Sequence, residues 1–343
     1  MNNRSAGPRS FNTIQRSNRG ARLRRLQEMR ILLLAICALI LLLALTGLVF
    51  LFCHLGHSLS AGGGGGGSSG KVEYGQLSVL PTSEDATVSI YRGNLIVVNK
   101  DRVYHFPSTR LENMTAEERR NYEIANYRVS VGTTTPYYLL LNKKNYMVPE
   151  AAEAINRLLT DFYNLSQERL YLYESYRTEE DQKGSDTLPP GHSDQHTGLS
   201  AAISSDGGTC KLDPGKYSSL YAMCAKYGFI QRYPSSLSQE TGVSGYGELF
   251  RYVGVPHAQY ITAQNLSLEG YIEQLRTSHK HDGSHLLLDA AGNRVTKDAA
   301  YEIYYVAVSG DSASVPVPKN YNYTISGDNI GGFIVTVNLN SPK

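Results

Sequence analysis

A chain of 343 residues with 41% apolar content is long enough for one or two domains with cores of their own. The net charge of +2 hides an asymmetry: Arg4, Arg9, Arg16, Arg19, Arg22, Arg24, Arg25 and Arg30 face one acid, Glu28, in residues 1–30, so of the 33 basic and 31 acidic residues the remainder carries a net −5. The four cysteines form no CxxC pair and no Cys/His cluster, which argues against a thiolate metal site.

The basic head (1–30) runs into residues 31–53, "ILLLAICALILLLALTGLVFLFC", which hold no charge. As a helix rising about 1.5 Å per residue, this run spans a hydrocarbon core of roughly 30 Å. No small-residue cleavage pattern clearly follows, so an uncleaved transmembrane helix is favoured over a signal peptide cut near Ala61. The arginines then place the N-terminus in the cytoplasm and the bulk of the chain outside the cell membrane, as a single-pass protein. Nucleic acid is thereby set aside as a partner. Cys37 and Cys53 lie in the apolar run as small hydrophobes. Cys210 and Cys224 either pair in an oxidising exterior or stay as two buried thiols.

Residues 54–85 read as a Gly/Ser-rich linker around "SAGGGGGGSSG", with folded sequence beginning near residue 84. "ATVSIYRGNLIVVN" alternates about an Arg-Gly-Asn turn and predicts a hairpin. Thr115 and Glu118 form a capping box. Pro149 opens an amphipathic helix, with Ala152, Ile155, Leu158, Leu159 and Phe162 on one face. "RLYLYESY" predicts a strand. A second helix runs from about 214 to 227, with Gly228 as its stop. "FRYVGV" is a further strand, and "SLEGYIEQLR" a closing helix capped by Ser267. The pattern is α+β over 86–276. Residues 277–343 read as a small all-β extension, packed on that domain or tethered to it. "HKHDGSH", with His279, His281 and His285, is polar and Gly-containing, and reads as a solvated linker rather than a metal site.

Six stretches now occur in one order: "YRGNLIVVNKDRVYHF", "SYRTEEDQ", "LPPGHSDQHTGLSAAI", "YGFIQRYP", "FRYVG" and "PHAQYITAQNLSLEGYIEQL". Over about residues 86–275 they resemble D-alanyl-D-alanine carboxypeptidases of the VanY type. The resemblance implies an antiparallel sheet with flanking helices, a bound zinc ion, and removal of the terminal D-alanine from peptidoglycan stem peptides. In that family a Ser-x-His-x-x-Gly-x-x-x-Asp stretch supplies two zinc ligands. A Glu-x-x-His stretch supplies the third ligand and the general base. Three protein ligands leave a coordination position for a water whose pKa falls to about 7.

Anchored on Ser193 and Gly198, the family histidine falls on Gln195 and the aspartate on Ala202. Anchored on "FRYVG", the base falls on Tyr246 and the last ligand on Leu249. Alanine and leucine bind no zinc, and an amide is a poor ligand beside imidazole. Relocated ligands would have to come from His196, Asp206 or Glu248. A slip to His196 in an extended segment turns the ring to the opposite face, while Asp206 and Glu248 stand about 13 and 7 Å out of place along a strand. Arg177, Gln182 and Ser193 match family positions that line the substrate pocket. Arg177 either meets a substrate carboxylate or pairs with Glu174 or Glu179. Ser193 either orients a substrate group or caps the turn. Twenty-five tyrosines and no tryptophan suit both a core edge and a carbohydrate or peptide groove.

The expectation is a membrane-anchored carboxypeptidase-like protein of the cell wall, catalytically inactive and without a cofactor. Its partner would be a peptidoglycan stem peptide or a cell-wall protein. The alternatives are an active zinc carboxypeptidase with rearranged ligands, and a structural anchor acting through its β tail.

Overall fold

The computed structural model describes residues 71–343 apart from 107–114, 116, 119–120, 123–127, 133–134, 142–144, 184–187 and 208–211. The basic head, the apolar run 31–53 and Cys210 lie outside the described residues. Among those described, no helix is long and apolar enough to cross a membrane. Cys224 is a free, buried thiol.

The strands in chain order are β1 (Tyr74–Val79), β2 (Val129–Ser130), β3 (Leu139–Leu140), β4 (Tyr146–Met147), β5 (Tyr171–Glu174), β6 (Ser200–Ser204) and β7 (Phe229–Gln231). They continue with β8 (Leu249–Tyr252), β9 (Leu286–Leu288), β10 (Tyr301–Ala307), β11 (Ala313–Pro318), β12 (Tyr321–Gly327) and β13 (Gly332–Pro342). The helices are α1 (Pro149–Ser166), α2 (Glu179–Gln182), α3 (Ser218–Cys224), α4 (Ser238–Thr241), α5 (Val255–Ala263) and α6 (Leu268–Ser278). A five-stranded sheet runs β3–β5–β6–β8–β7, and a four-stranded one runs β12–β13–β10–β9. The fold is a mixed α+β one. The expected antiparallel sheet is found with one departure, since β3 and β5 run parallel.

Helix α1 forms for the reasons its sequence gives. Pro149 occupies the first turn with Glu150, an acid near the positive end of the helix dipole. Ala152, Ile155, Leu158, Leu159 and Phe162 are all buried, against Leu172, Ala201, Ile203 and Phe250 of the sheet. Strand β6, "SAAIS", is buried at every position. Its alternation sends Ala201 and Ile203 towards α1 and Ala202 to the opposite face. That second face carries the site described below. Helix α6 starts as expected, with Ser267 Oγ accepting from the Gly270 N–H, and Thr115 with Glu118 forms the expected box.

Three expectations need correction. Folded sequence begins before residue 84: β1 starts at Tyr74, within the stretch read as linker, and pairs antiparallel with β11 from Tyr74↔Pro318 to Val79↔Ala313. The short pattern "YGQLSV" is too polar to announce itself, and its partner is far away in sequence. Residues 86–99 form no hairpin. Leu95, Ile96, Val97 and Val98 are buried, and Val97 N–H donates to Asp328 O while Asn329 Nδ2 donates to Val97 O. Their alternation answers a tertiary partner rather than a neighbouring strand. Finally, "HKHDGSH" is not a solvated linker. His279 is 2% exposed, and the backbone of His279 and His281 bonds to that of Tyr305.

The C-terminal strands are packed rather than tethered. Leu286, Ile303 and Ile334 share one core with Ala258, Ile261 and Leu275 of α5 and α6. Within it, His257 bonds to the Tyr271 hydroxyl at 2.7 Å through Nδ1 and to Thr336 Oγ1 at 2.9 Å through Nε2.

Candidate functional site

Strands β6 and β8 pair with Ala202 directly opposite Leu249, which puts the two side chains on one face. With Tyr233 they form a small apolar cluster at 0%, 1% and 2% exposure, against which Tyr173, Val243 and Tyr246 pack. Above it, a 3-10 turn at Asp194–Thr197 presents Gln195 and closes on Gly198, whose φ of 69° suits glycine. Gln195 Nε2 donates to Ser175 O at 3.3 Å, and its Oε1 accepts from the Tyr246 hydroxyl at 3.2 Å. Tyr246 is also hydrogen-bonded to Tyr173. The four positions singled out in the sequence therefore converge.

What they converge on does not fit zinc. The methyl of Ala202 and the isobutyl group of Leu249 offer no lone pair. The Gln195 amide is engaged at both ends. Burial pushes the Tyr246 phenol far above its ordinary pKa, so it is protonated at neutral pH and cannot collect a proton as a carboxylate would.

The substitute ligands do not assemble either. His196 is 0% exposed and sits in the 3-10 turn, not in an extended segment. The Gly191 N–H donates to its Nε2 at 3.1 Å, which leaves Nδ1–H to donate to Arg177 O at 2.7 Å. Both nitrogens of this neutral ring are occupied, and burial lowers its pKa to about 4. Asp206 is exposed, beyond the end of β6. Glu248 is buried, with Oε2 unpartnered. Among the described residues no three His, Cys, Asp or Glu side chains are placed to share a metal.

The residues matched to the substrate pocket have internal partners. Arg177 forks onto Glu174, with Nε donating to Oε1 at 2.9 Å and Nη2 to Oε2, while Nη1 donates to Gln182 Oε1 at 2.8 Å. Of the two local acids named for Arg177, Glu174 is the one it pairs with. Gln182 Nε2 donates to Leu188 O. Ser193 Oγ accepts from Gln195 N–H and caps the turn, a contact worth about 1 kcal/mol.

Sequence reasoning missed the charged centre beneath the turn. Asp194, 1% exposed, accepts from Arg232 Nε at 3.0 Å, from Arg251 Nη1 at 2.6 Å and from the Ser200 hydroxyl. Glu269 takes the other end of Arg232. Burial alone would raise the Asp194 carboxyl, but the Arg251 and Arg232 guanidiniums hold it below the ordinary range. The available signal was an arginine in each of two apolar strand stretches, "FIQRYP" and "LFRYVG", since an arginine is almost never fully buried unpaired.

The vancomycin-resistance D,D-dipeptidase VanXYg, solved with a D-Ala-D-Ala phosphinate analogue, superposes with a TM-score of 0.57 at 24% identity, over 78% of this chain and 99% of that one, a likeness of fold. In sequence, the chain is 28% identical over 256 residues to a D-alanyl-D-alanine carboxypeptidase of Enterococcus faecium, covering 72% of this chain and 76% of the relative. A 49-residue stretch is 53% identical to the bifunctional D-Ala-D-Ala dipeptidase and carboxypeptidase VanXYC of Enterococcus gallinarum, covering 14% of this chain and 26% of that protein. No family model matches. The chain is a homologue of the VanY- and VanX-type D-Ala-D-Ala carboxypeptidases.

Proposed function

We propose that this protein is a non-hydrolytic member of the D-Ala-D-Ala carboxypeptidase group, acting at the cell wall as a binding module for peptidoglycan stem peptide. In this reading residues 31–53 anchor it in the cell membrane, 1–30 stay in the cytoplasm, and the peptidase-like domain of 86–276 with its C-terminal strands lies outside. The observation that carries the reading is the Ala202–Leu249–Tyr233 cluster beneath the Tyr246–Gln195 bond, an apolar plug where a hydrolase needs metal donors and a base. The peptide ligand is supported by the relatives, which are carboxypeptidases and dipeptidases of D-Ala-D-Ala.

The test is metal content of the purified protein together with D-alanine release from a stem pentapeptide. The expected result is less than stoichiometric zinc and no turnover with zinc added. One zinc per chain with chelator-sensitive release of D-alanine would establish the hydrolase instead.

A further inference from the structure

Away from the peptidase-like site, a cavity of about 530 Å³ opens between the central sheet and the C-terminal one, within the range of small-ligand sites, roughly 300–1,000 Å³. Glu150 at the start of α1 and Tyr252 at the end of β8 line it from one side. Tyr301 of β10 and Tyr323 of β12 line it from the other. All three tyrosines are half-buried. Their ring bodies are held in place: Tyr252 lies edge-on to Phe229 at 5.3 Å, Tyr301 packs on the core shared with α5 and α6, and Tyr323 lies under the Lys343 ammonium at 4.8 Å. Among the described residues none of the three hydroxyls has a protein hydrogen-bond partner.

The lining decides which chemistry it accepts. It includes no lysine or arginine, and its histidine, His257, is occupied by Tyr271 and Thr336. Lys343 lies beside Tyr323, but its ammonium donates to Pro318 O at 3.1 Å. A phosphate or carboxylate would meet a single ammonium at the rim, already bonded to a carbonyl, and no cation in the lining, while Glu150 would repel it. A purely apolar ligand would cover three tyrosine hydroxyls without replacing their bonds to water. What matches fixed rings with unpaired hydroxyls is a ligand with flat C–H faces and many neutral hydroxyl and amide groups.

We propose that this cavity binds an uncharged saccharide, with the rings of Tyr301 and Tyr323 as platforms and the C-terminal strands completing the site. The saccharide class follows from the lining alone. The choice of an N-acetylhexosamine chain rests on the cell-wall reading above.

Calorimetric titration of the full chain with chitotetraose and, separately, cellotetraose tests this. Saturable binding of chitotetraose is expected, weakened about tenfold in Tyr301→Ala and Tyr323→Ala and unchanged in Glu153→Gln on the exposed face of α1. Circular dichroism and thermal unfolding check that the variants fold. If an alanine variant does not fold, Tyr323→Phe keeps the ring, and removal of its hydroxyl is expected to weaken binding about fivefold. Equal binding of both sugars upholds the saccharide site and counts against the cell-wall reading. Binding of neither sugar, or binding indifferent to the tyrosine changes, overturns the site.

Discussion

Tyr246 donates its hydroxyl to Gln195 Oε1 at 3.2 Å, and this bond closes over the cross-strand pair of Ala202 and Leu249. Ala202→Asp would place one family-type carboxylate into that plug, where the residue is 0% exposed. Burial of an uncompensated charge predicts a loss of about 2–5 kcal/mol. Urea unfolding measures it, with and without zinc. Zinc is expected to restore nothing, since the neighbouring positions supply no further donors; restoration would reveal them.

The Arg177–Glu174 fork makes a prediction about ligand affinity. Glu174 holds Nε and Nη2, the guanidinium edge that a peptide carboxylate would take. Glu174→Gln should therefore tighten binding of a D-Ala-D-Ala peptide, by about tenfold if one charge-assisted bond is released to the ligand. Arg177→Ala should abolish binding. Calorimetry of both variants against the unaltered protein decides, and equal affinities would place peptide recognition elsewhere.

Two histidines give the pH dependence opposite limbs. Burial holds the His196 ring neutral, down to a pKa of about 4. Its contribution, on the order of 3 kcal/mol, is fully present above the unfolded value near 6.5 and is lost as pH falls towards 4. At His285 burial would lower the pKa, but the hydrogen bond to Glu302 raises it. That contribution is present below about pH 6.5 and is lost as pH rises through the raised value. Denaturant unfolding across pH 4–9 should show His196→Gln flattening the acid limb and His285→Gln the alkaline one.

Asp194→Asn is expected to be the most damaging conservative change in the sheet. It leaves Arg251 and one edge of Arg232, both 0% exposed, without their carboxylate. Breaking a buried ion pair from one side costs about 3–5 kcal/mol. Equilibrium unfolding should register this. Glu153→Gln, on the exposed face of α1, should change stability by less than about 1 kcal/mol.

Periodicity made α1, α6, β5, β8 and the later strands legible, because each carries its own apolar face and its own stop or cap. The convergence of Gln195, Ala202, Tyr246 and Leu249 was legible from motif spacing, but the bond that joins two of them was not. Short elements were hidden. Strand β1 has a mixed burial pattern, and residues 95–98 are apolar because they lie under Asp328 and Asn329, which no local window contains. The Asp194–Arg232–Arg251 centre joins three separate strand and turn segments, so pairing could be seen only once β6, β7 and β8 were adjacent.

The β1–β11 ladder ties Tyr74 to Pro318. The opening strand of the described fold therefore has no partner until residues 313–318 have left the ribosome. Contacts so distant along the chain are late and slow to form, and until then the backbone edge of residues 74–79 stays open to wrong pairings. Biogenesis of this protein should depend on the integrity of residues 313–343. Premature stop codons there would yield aggregation rather than a shortened but competent product.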